Sequence, residues 1–524
     1  MHCIFPPFNK GGHEGDLLSM SRIEYDRQGI GYVFKLSLII GVVLLVGVVV
    51  REELTSYLSQ HPEDGSALVP ITFAEQPPFQ KLSDDTVLFS NRDALLKKRD
   101  ELAEQGTQFL FADLEHMEIS LYEGGIATRT YPIVKTGKEG SFYETPSGMY
   151  KIESRETNHY SRLSKVWMPW SMHFFGNYFV HGRPYYPDGS MVAGDYSGGC
   201  IQLEQADAKD LFGLVKTGMP VLVASKKTNE VASFSYFKKT DLPGQIPVRP
   251  QINAASAIAV DFDTGQVLFE KSKDSVFPIA SVSKLMTGLV SLEVIGRLTD
   301  VTVTQSALDE YGQVSGLSPG EVFKSQDLLY PLILPSSNDV AKLYENQVGG
   351  FVDMMNKKAG AIGMEHTSFT DASGLNQENV STAADLFHLI RAVYEEREPL
   401  FNITGLRQYT YTPKDGRSNP HTWVNINWPR DDDRFIGGKA GFTYEALQTM
   451  VGVYKVKLGE GDERRIAVIV LGTHTRVPDV NNVIKYLENT FVYGSVLTSN
   501  GEAAKTVVPG GAGVYEAVKK MQLP

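Results

Sequence analysis

The chain has 524 residues, a length that predicts two or three domains. Its 42% hydrophobic and 21% charged residues are typical of globular protein, and a net charge of −12 without a basic stripe argues against a nucleic-acid partner. The two cysteines, Cys3 and Cys200, lie on opposite sides of a long apolar segment, so no disulfide between them is expected.

That apolar segment, residues 36–50, carries no charge and reaches the roughly 20 residues of a bilayer-spanning helix when it is extended back to Ile30. Basic residues precede it, and Arg51 follows it in place of a cleavage site. We predict a cytoplasmic tail at residues 1–29 and an uncleaved transmembrane signal anchor at residues 30–50, with the rest outside the cytoplasm. A cleaved signal peptide is the alternative, and Met1 and Met20 are both candidate starts.

Residues 51–107 are polar with scattered prolines, which indicates a stem, and Asn91 could cap a helix that ends before Gly106. Residues 108–224 contain short alternating strands separated by glycine turns, a pattern that predicts an all-β module with one helix near its end. Residues 225–250 are rich in lysine, proline and glycine and are predicted to be a linker.

Residues 251–492 combine strands with a mostly helical middle part. A hairpin is predicted around Asp263-Thr264-Gly265, and strands resume after residue 408. Asp479 is a candidate cap for a closing amphipathic helix. Residues 493–524 form a glycine-rich tail without a usable pattern.

Cys200 follows two glycines, a place where backbone N–H groups can point at an oxyanion. His181, predicted at a strand end, could serve as its base, since a thiol paired with an imidazole is an acyl-transfer nucleophile. A buried structural cysteine and a satisfied core histidine are the alternatives.

Ser281 and Lys284 are three residues apart at the start of an apolar helical pattern, so they share one helix face. A serine hydroxyl needs a base within hydrogen-bond reach, and a lysine can be that base only when it is neutral. An N-cap serine and a solvated lysine are the simpler interpretation. Two later motifs, Ser336-Ser337-Asn338 and Lys439-Ala440-Gly441, follow in the order of penicillin-recognising serine enzymes.

With the flanking residues 363–375 and 381–386, these motifs resemble the D-alanyl-D-alanine carboxypeptidases over roughly residues 254–492. The resemblance implies an α+β domain of the β-lactamase/transpeptidase type, with an antiparallel sheet and a helical subdomain. It also implies peptidoglycan stem peptides as substrates and β-lactams as inhibitors. The sequence contains neither an H-E-x-x-H motif nor clustered metal ligands, so neither a metal nor a cofactor is expected.

The resemblance also implies roles for single residues. Ser281 would attack the D-Ala–D-Ala carbonyl, Lys284 would accept its proton, and Ser336 would relay a proton to the leaving amine. Asn338 would bind the substrate amide and Lys439 its carboxylate. The remaining substrate-binding residues would be Gly441, Phe442 and Thr443, with the N–H groups of Ser281 and Phe442 as the oxyanion hole. Ala440 departs from the threonine of the family, and Thr443 is a candidate replacement.

Residues 109–223 resemble the L,D-transpeptidase catalytic domain of the YkuD type. The match rests on His181-Gly182 and on Ser197, Gly199, Cys200 and Ile201. It implies Cys200 as the nucleophile, His181 as the base, and Ser197 and Gly199 in substrate binding. Two positions depart from the family, with Gly198 in place of a second histidine and Gln202 in place of arginine or asparagine.

Together the two resemblances imply a bifunctional peptidoglycan enzyme, in which the serine domain trims pentapeptide stems to the tetrapeptides that the cysteine domain uses as donors. One alternative is a carboxypeptidase with an inactive, wall-binding N-terminal domain. Another is a β-lactam-binding or β-lactam-hydrolysing protein. A segment beginning at Glu398 resembles the deacylating motif of class A β-lactamases, and we assign that likeness to chance.

Overall fold

The computed structural model describes residues 79–82, 91–226, 234–239, 249–312, 314–412, 419–427, 429, 432–458 and 463–495. The predicted cytoplasmic tail, the transmembrane anchor and most of the stem lie outside these residues. Within the described part of the chain, no helix has the length and apolar character that a bilayer crossing requires.

The first described elements are strand β1 (Phe79–Lys81) and helix α1 (Asn91–Glu104). Helix α1 is the one predicted after Asn91, but it does not belong to an extended stem. Its buried Leu95 packs in one cluster with Phe109 and Phe111 of the sheet that follows. The cysteine domain, as we name residues 91–224, therefore begins at this helix.

Ten further elements complete the cysteine domain. They are β2 (Phe109–Asp113), β3 (Glu118–Glu123), β4 (Ile126–Pro132), β5 (Gly148–Lys151), β6 (Ser154–Ser161), β7 (Val166–Phe175), β8 (Tyr178–Gly182), β9 (Ile201–Leu203), α2 (Gln205–Leu214) and β10 (Pro220–Ala224). One sheet has the order β4-β3-β2-β10-β5 and the other β6-β7-β8-β9, with parallel pairs β2–β10 and β8–β9. The domain is β-rich rather than all-β, because helix α2 buries Ala208 and Leu211 in the core that both sheets share.

After β11 (Phe234–Lys239), the strands of the serine domain (residues 251–492) are β12 (Ser256–Asp261), β13 (Val267–Lys271), β14 (Phe277–Pro278), β15 (Asp300–Thr302), β16 (Val322–Lys324), β17 (Val380–Ser381), β18 (Gln408–Tyr411), β19 (His421–Val424), β20 (Phe435–Thr443), β21 (Leu447–Lys457) and β22 (Glu463–Thr473), and β23 (Phe491–Ser495) closes the described chain. The helices of the serine domain are α3 (Lys284–Val294), α4 (Gln305–Leu308), α5 (Leu329–Ile333), α6 (Asn338–Gln347), α7 (Phe351–Ala361), α8 (Ala383–Glu396), α9 (Glu398–Thr404) and α10 (Arg476–Thr490).

The main sheet of the serine domain is antiparallel, in the order β13-β12-β22-β21-β20. Because side chains alternate across a strand, neighbouring residues serve opposite faces. Ile258 of β12 packs with the helical subdomain, whereas Ala257 and Ala259 pack with helix α10. This is the predicted antiparallel sheet with a helical subdomain, and the hairpin predicted at Asp263 is the β12–β13 connection.

Two expectations about the chain outside this sheet need correction. Strand β11, within the predicted linker, pairs with β1 and with β23, whose last residues lie in the predicted tail. Asp479 does not cap the closing helix, which begins earlier at Arg476. Its carboxylate instead accepts from the backbone N–H groups of Asn253 (3.0 Å) and Ala254 (2.9 Å), so it fixes the start of the serine domain.

Candidate active sites

Ser281 lies in a single 3₁₀ turn, Ala280–Ser283, that leads directly into helix α3. Lys284, the first residue of that helix, is fully buried, and its Nζ lies 2.9 Å from Ser281 Oγ. The same nitrogen lies 2.6 Å from Asn338 Oδ1 and 2.5 Å from the carbonyl oxygen of Ser373. A neutral amine has two N–H groups and one lone pair. When both carbonyl oxygens accept an N–H, the lone pair is left for the serine hydroxyl.

Burial is the main influence on the pKa of Lys284 and lowers it from 10.5 to about 7, while the carboxylates of Asp371 and Asp339 act in the opposite direction. Removing a charged amine from water favours its neutral form. Lys284 is therefore matched to the role of a general base at neutral pH.

The Ser336-Ser337-Asn338 motif forms the second side of this site. Ser337 caps helix α6, since its Oγ accepts from the N–H of Val340 at 3.3 Å. Ser336 has a φ of 65°, a conformation that costs a non-glycine residue about 1–3 kcal/mol. Within the described part of the chain its buried Oγ has no hydrogen-bond partner, which leaves the hydroxyl free to relay a proton.

Strand β20 is the edge strand of the main sheet and forms the third side. A Cβ on Gly441 would lie only 2.9 Å from the backbone nitrogen of Ser281, so glycine allows the strand to approach Ser281 closely. Thr449 of the adjoining strand donates its hydroxyl to the carbonyl of Ile279 at 3.1 Å. The edge strand and the serine turn are thus held side by side, and an extended peptide could pair with the free edge.

Lys439 and Asn427 interact behind this edge. Nζ of Lys439 donates to Asn427 Oδ1 at 2.8 Å and to the carbonyl of Ala440 at 2.7 Å. Asn427 Oδ1 also accepts from the N–H of Ala440 at 3.0 Å. Burial, and then the nearby Lys284, hold the pKa of Lys439 well below its ordinary value. Sequence reasoning missed Asn427, because a lone asparagine outside the three motifs carries no spacing signal.

The other predicted residues on β20 have different surroundings. Phe442 is 57% exposed at the strand edge, and Thr443 Oγ1 accepts from the N–H of Ala446 in the hairpin turn. A second basic side chain at this strand is Arg476, which donates to the carbonyl of Gly441 at 3.3 Å. Arg476 was also missed, since in the sequence it precedes the predicted closing helix.

In the cysteine domain, His181 lies on β8, and Cys200 immediately precedes the parallel neighbouring strand β9, in which Ile201 pairs with Val180. Both line a cavity of about 1010 Å³ together with Ser197, Gly198 and Gln202. His181 Nδ1 lies 2.5 Å from the carbonyl oxygen of Gly182. Because a carbonyl only accepts, Nδ1 carries the proton and Nε2 is left as the basic nitrogen.

The thiol of Cys200 donates to the carbonyl of Asn177 at 3.6 Å, and His181 Nε2 is buried without a hydrogen-bond partner among the described residues. Burial raises the pKa of Cys200 to about 12 and lowers that of His181 to about 4. The resting pair is therefore a neutral thiol and a neutral imidazole. Proton transfer to His181 requires the thiol to turn away from Asn177.

The glycine loop before Cys200 is held by Ser197, whose hydroxyl donates to the carbonyl of Cys200 at 2.6 Å and accepts from the N–H of Gly199 at 3.0 Å. A Cβ on Gly199 would lie 2.3 Å from the ring of Tyr178, whereas one on Gly198 would meet nothing within 4 Å. Glycine in place of the second histidine of the family therefore leaves open space at position 198. The hydrogen bonds of Ser197 that hold the loop are still present. The side chain of Gln202 is buried, and its backbone N–H donates to the carbonyl of Lys135 at 2.9 Å.

The described residues contain one group with metal-ligand spacing, Asp113, Glu115 and His116. Arg92 already pairs with Asp113 at 2.8 Å and with Glu115 at 2.9 Å, and Glu115 and His116 are exposed. One guanidinium thus bridges both carboxylates, so we assign the group a structural role.

The second domain thus has the arrangement expected of a serine acyl-transfer enzyme, in which a serine hydroxyl, a buried amine and the edge strand of a sheet lie together. The model of the D-alanyl-D-alanine carboxypeptidases matches residues 244–475, and that of the L,D-transpeptidase catalytic domain matches residues 107–223. Both resemblances expected from the sequence are confirmed.

Three curated relatives match the serine domain. A D-alanyl-D-alanine endopeptidase from Pseudomonas aeruginosa is 30% identical over 259 residues, covering 46% of this chain and 80% of the relative. One from Escherichia coli is 36% identical, covering 46% and 79%. A D-alanyl-D-alanine carboxypeptidase from Mycobacterium tuberculosis is 30% identical, covering 44% and 78%. The chain belongs to the D-alanyl-D-alanine carboxypeptidase family and carries an L,D-transpeptidase catalytic domain ahead of its serine domain.

Proposed function

We propose that the serine domain is a D,D-carboxypeptidase that removes the terminal D-alanine from pentapeptide stems of peptidoglycan. The observation that carries this is the buried amine of Lys284, 2.9 Å from Ser281 Oγ and with a pKa lowered to about 7. Lys284 takes the hydroxyl proton as Ser281 attacks, and Ser336 passes a proton to the departing amine. Water then releases the tetrapeptide from the acyl-enzyme.

The substrate-binding part of the proposal rests on the edge of β20. The stem peptide would pair with that edge in extended form, with its terminal carboxylate directed toward Lys439 and Arg476. The oxyanion would be held by the N–H groups of Ser281 and Phe442, each worth about 3–4 kcal/mol in the transition state. β-Lactams would acylate the same serine as substrate mimics.

For the cysteine domain we propose L,D-transpeptidation with tetrapeptide donors. Support comes from the thiol and the basic nitrogen of His181, which line one cavity large enough for a stem peptide. Cys200 would attack the donor carbonyl, with its proton passing to His181, and an acceptor amine would then take the acyl group. The serine domain would supply the tetrapeptide donor, and sharing one chain raises its local concentration.

A second function for the serine domain is endopeptidase cleavage of existing cross-links. It is favoured by the names of the Pseudomonas and Escherichia relatives. Both activities would use Ser281 and Lys284, so they differ in the leaving group and not in the mechanism.

The decisive experiment incubates the full chain, in detergent, with disaccharide-pentapeptide, disaccharide-tetrapeptide or cross-linked dimer, and follows the products by mass. We expect loss of D-alanine from pentapeptide, abolished by Ser281→Ala, and cross-linking of tetrapeptide, abolished by Cys200→Ala. Cleavage of dimer without trimming of pentapeptide would favour the endopeptidase. Trimming without cross-linking would favour an inactive, wall-binding cysteine domain.

Coupling between the two steps has its own test. An equal mixture of Ser281→Ala and Cys200→Ala proteins contains both working sites on different chains. At matched site concentrations, the unmodified chain should produce more cross-linked dimer from pentapeptide than the mixture, and equal yields from tetrapeptide. Equal yields from both substrates would contradict the coupling.

We also propose that residues 30–50 anchor the chain in the cell membrane with both catalytic domains outside the cytoplasm, where peptidoglycan lies. The apolar run and the basic residues before it support this orientation. Protease added to intact spheroplasts should digest both domains. Protection of both until lysis would contradict the orientation.

A further inference from the structure

The two catalytic domains meet at a surface that contains four buried charged side chains of the serine domain. Lys358 pairs with Glu293 at 3.2 Å and with Glu396 at 2.8 Å, and Arg397 pairs with Glu293 at 2.9 Å. All four are essentially inaccessible to water. Two cations thus face two carboxylates, so the cluster is balanced in charge.

The cysteine domain completes this cluster with its own polar groups. Arg397 donates to the hydroxyl of Tyr178 at 3.0 Å, and Lys358 donates to the hydroxyl of Tyr150 at 3.1 Å. Ser147 donates its hydroxyl to Glu396 at 2.6 Å. Buried charges require such partners, so the two domains depend on each other at this surface.

The turn between strands β7 and β8 connects this surface to the cysteine site. Both the backbone N–H and the side-chain amide of Asn177 donate to the carbonyl of Glu293, at 3.1 and 3.2 Å. The carbonyl of Asn177 in turn accepts the thiol of Cys200 at 3.6 Å. The next residue, Tyr178, lies directly against Gly199. Asn177 and Tyr178, which we call the docked turn, therefore contact both Cys200 and the glycine loop that precedes it.

Glu293 lies near the end of helix α3, whose first residue is Lys284. The last carbonyls of a helix have no partner within the helix and need one elsewhere. Asn177 supplies that partner for Glu293. A single helix of 11 residues, about 16 Å long, thus carries the serine base at one end and holds the cysteine-site turn at the other.

We propose that Asn177 and Tyr178 are positioning residues of the cysteine site, and that the docked serine domain holds both of them in place. The docked turn keeps the thiol of Cys200 directed at the Asn177 carbonyl and away from His181. Loosening the turn lets the thiol reach the imidazole more often. The consequence for catalysis rests on the proposed role of Cys200, but thiol reactivity reports the positioning even where no cross-linking is seen.

The test measures the rate of Cys200 alkylation by iodoacetamide against pH in the full chain, with Cys3→Ser as the common background. We expect Asn177→Ala and Tyr178→Phe to raise the rate at neutral pH by about 2- to 12-fold, the equivalent of one ordinary hydrogen bond. The midpoint of the alkylation rate against pH should also shift to a lower pH. Tyr150→Phe is the matched control, since it also loses a hydroxyl bond to a buried cation, together with one to the carbonyl of Ser147, and only Tyr178 of the two supplies the atoms nearest Gly199.

Acylation of Ser281 by a fluorescent penicillin, measured in parallel, verifies that each variant is folded. Asn177 is partly exposed, so its alanine variant keeps the test available if Tyr178→Phe fails to fold. Unchanged alkylation in Asn177→Ala would overturn the proposal. An equal change in Tyr150→Phe would also overturn it, because the effect would then come from general loosening of the surface.

Discussion

Titration of Lys284 should govern the pH dependence of serine acylation. Its pKa falls from 10.5 to about 7, which corresponds to about 5 kcal/mol at about 1.36 kcal/mol per pH unit. At neutral pH about half of the amine is then neutral, whereas an ordinary lysine would be neutral in fewer than about one molecule in a thousand. Burial thus increases the population of the competent base by roughly a thousandfold.

The assay follows the rate of acylation by a fluorescent penicillin from about pH 5.5 to about pH 9. We expect the rate to rise roughly tenfold per pH unit below a midpoint near 7 and to level off above it, because only neutral Lys284 can accept the serine proton. Lys284→Arg should abolish acylation, since a guanidinium keeps its proton at all these pH values.

The control is Lys342→Arg. Lys342 is a half-exposed lysine paired with Glu345, so its replacement should leave the profile unchanged. A flat profile across this range, or a midpoint above pH 9, would refute the assignment of Lys284 as the base.

The same titration of Lys284 affects the stability of the fold. Between about pH 7 and 10.5 the unfolded chain binds a proton here that the folded chain does not, so the contribution of Lys284 to the free energy of unfolding rises with pH across that window.

Three other substitutions test single contacts. Gly199→Ala places a Cβ 2.3 Å from the neighbouring tyrosine ring at a φ of 110°, and thermal unfolding should show a loss of at least about 1–3 kcal/mol. Gly198→Ala, in open space, should change stability by less than about 0.5 kcal/mol, and equal losses would contradict the packing argument. Ala440→Thr restores the hydroxyl of the family and should speed serine acylation about tenfold, whereas an unchanged rate would show that the hydroxyl is dispensable. Lys358→Met should cost about 3–5 kcal/mol in denaturant unfolding. The exposed Lys357→Met should cost at most about 1 kcal/mol, and similar losses would refute the importance of the buried cluster.

The serine site was predictable where its parts are local. Ser281 and Lys284 are brought together by one helical turn, which any S-x-x-K sequence shares. The main strands were predictable because their apolar runs and the turn at Asp263 are continuous in sequence. The close approach of Gly441 on strand β20 to Ser281 was expected from motif order and not from physical reasoning on the sequence alone.

Residues that act through distant contacts were not predictable. Asn427 and Arg476 reach strand β20 from separate segments, and each is a single polar residue without a partner at a fixed spacing. Strand β11 is short and pairs with β23, which lies more than 250 residues later, so it carries no hairpin signal. Charged residues such as Lys358 in a helical stretch predict a solvated face, because their buried partners appear only in the tertiary structure.

The docked surface changes how the fusion of the two domains is understood. A flexible linker alone would raise the local concentration of the intermediate and leave each site independent. Here the strand within the predicted linker is paired on both sides, and buried charged groups of the serine domain exchange hydrogen bonds with the cysteine domain. Expressing the domains on separate chains would expose those charges and disturb Asn177 as well as the supply of substrate. Variants that inactivate one nucleophile and leave the surface intact are therefore the informative way to separate the two activities.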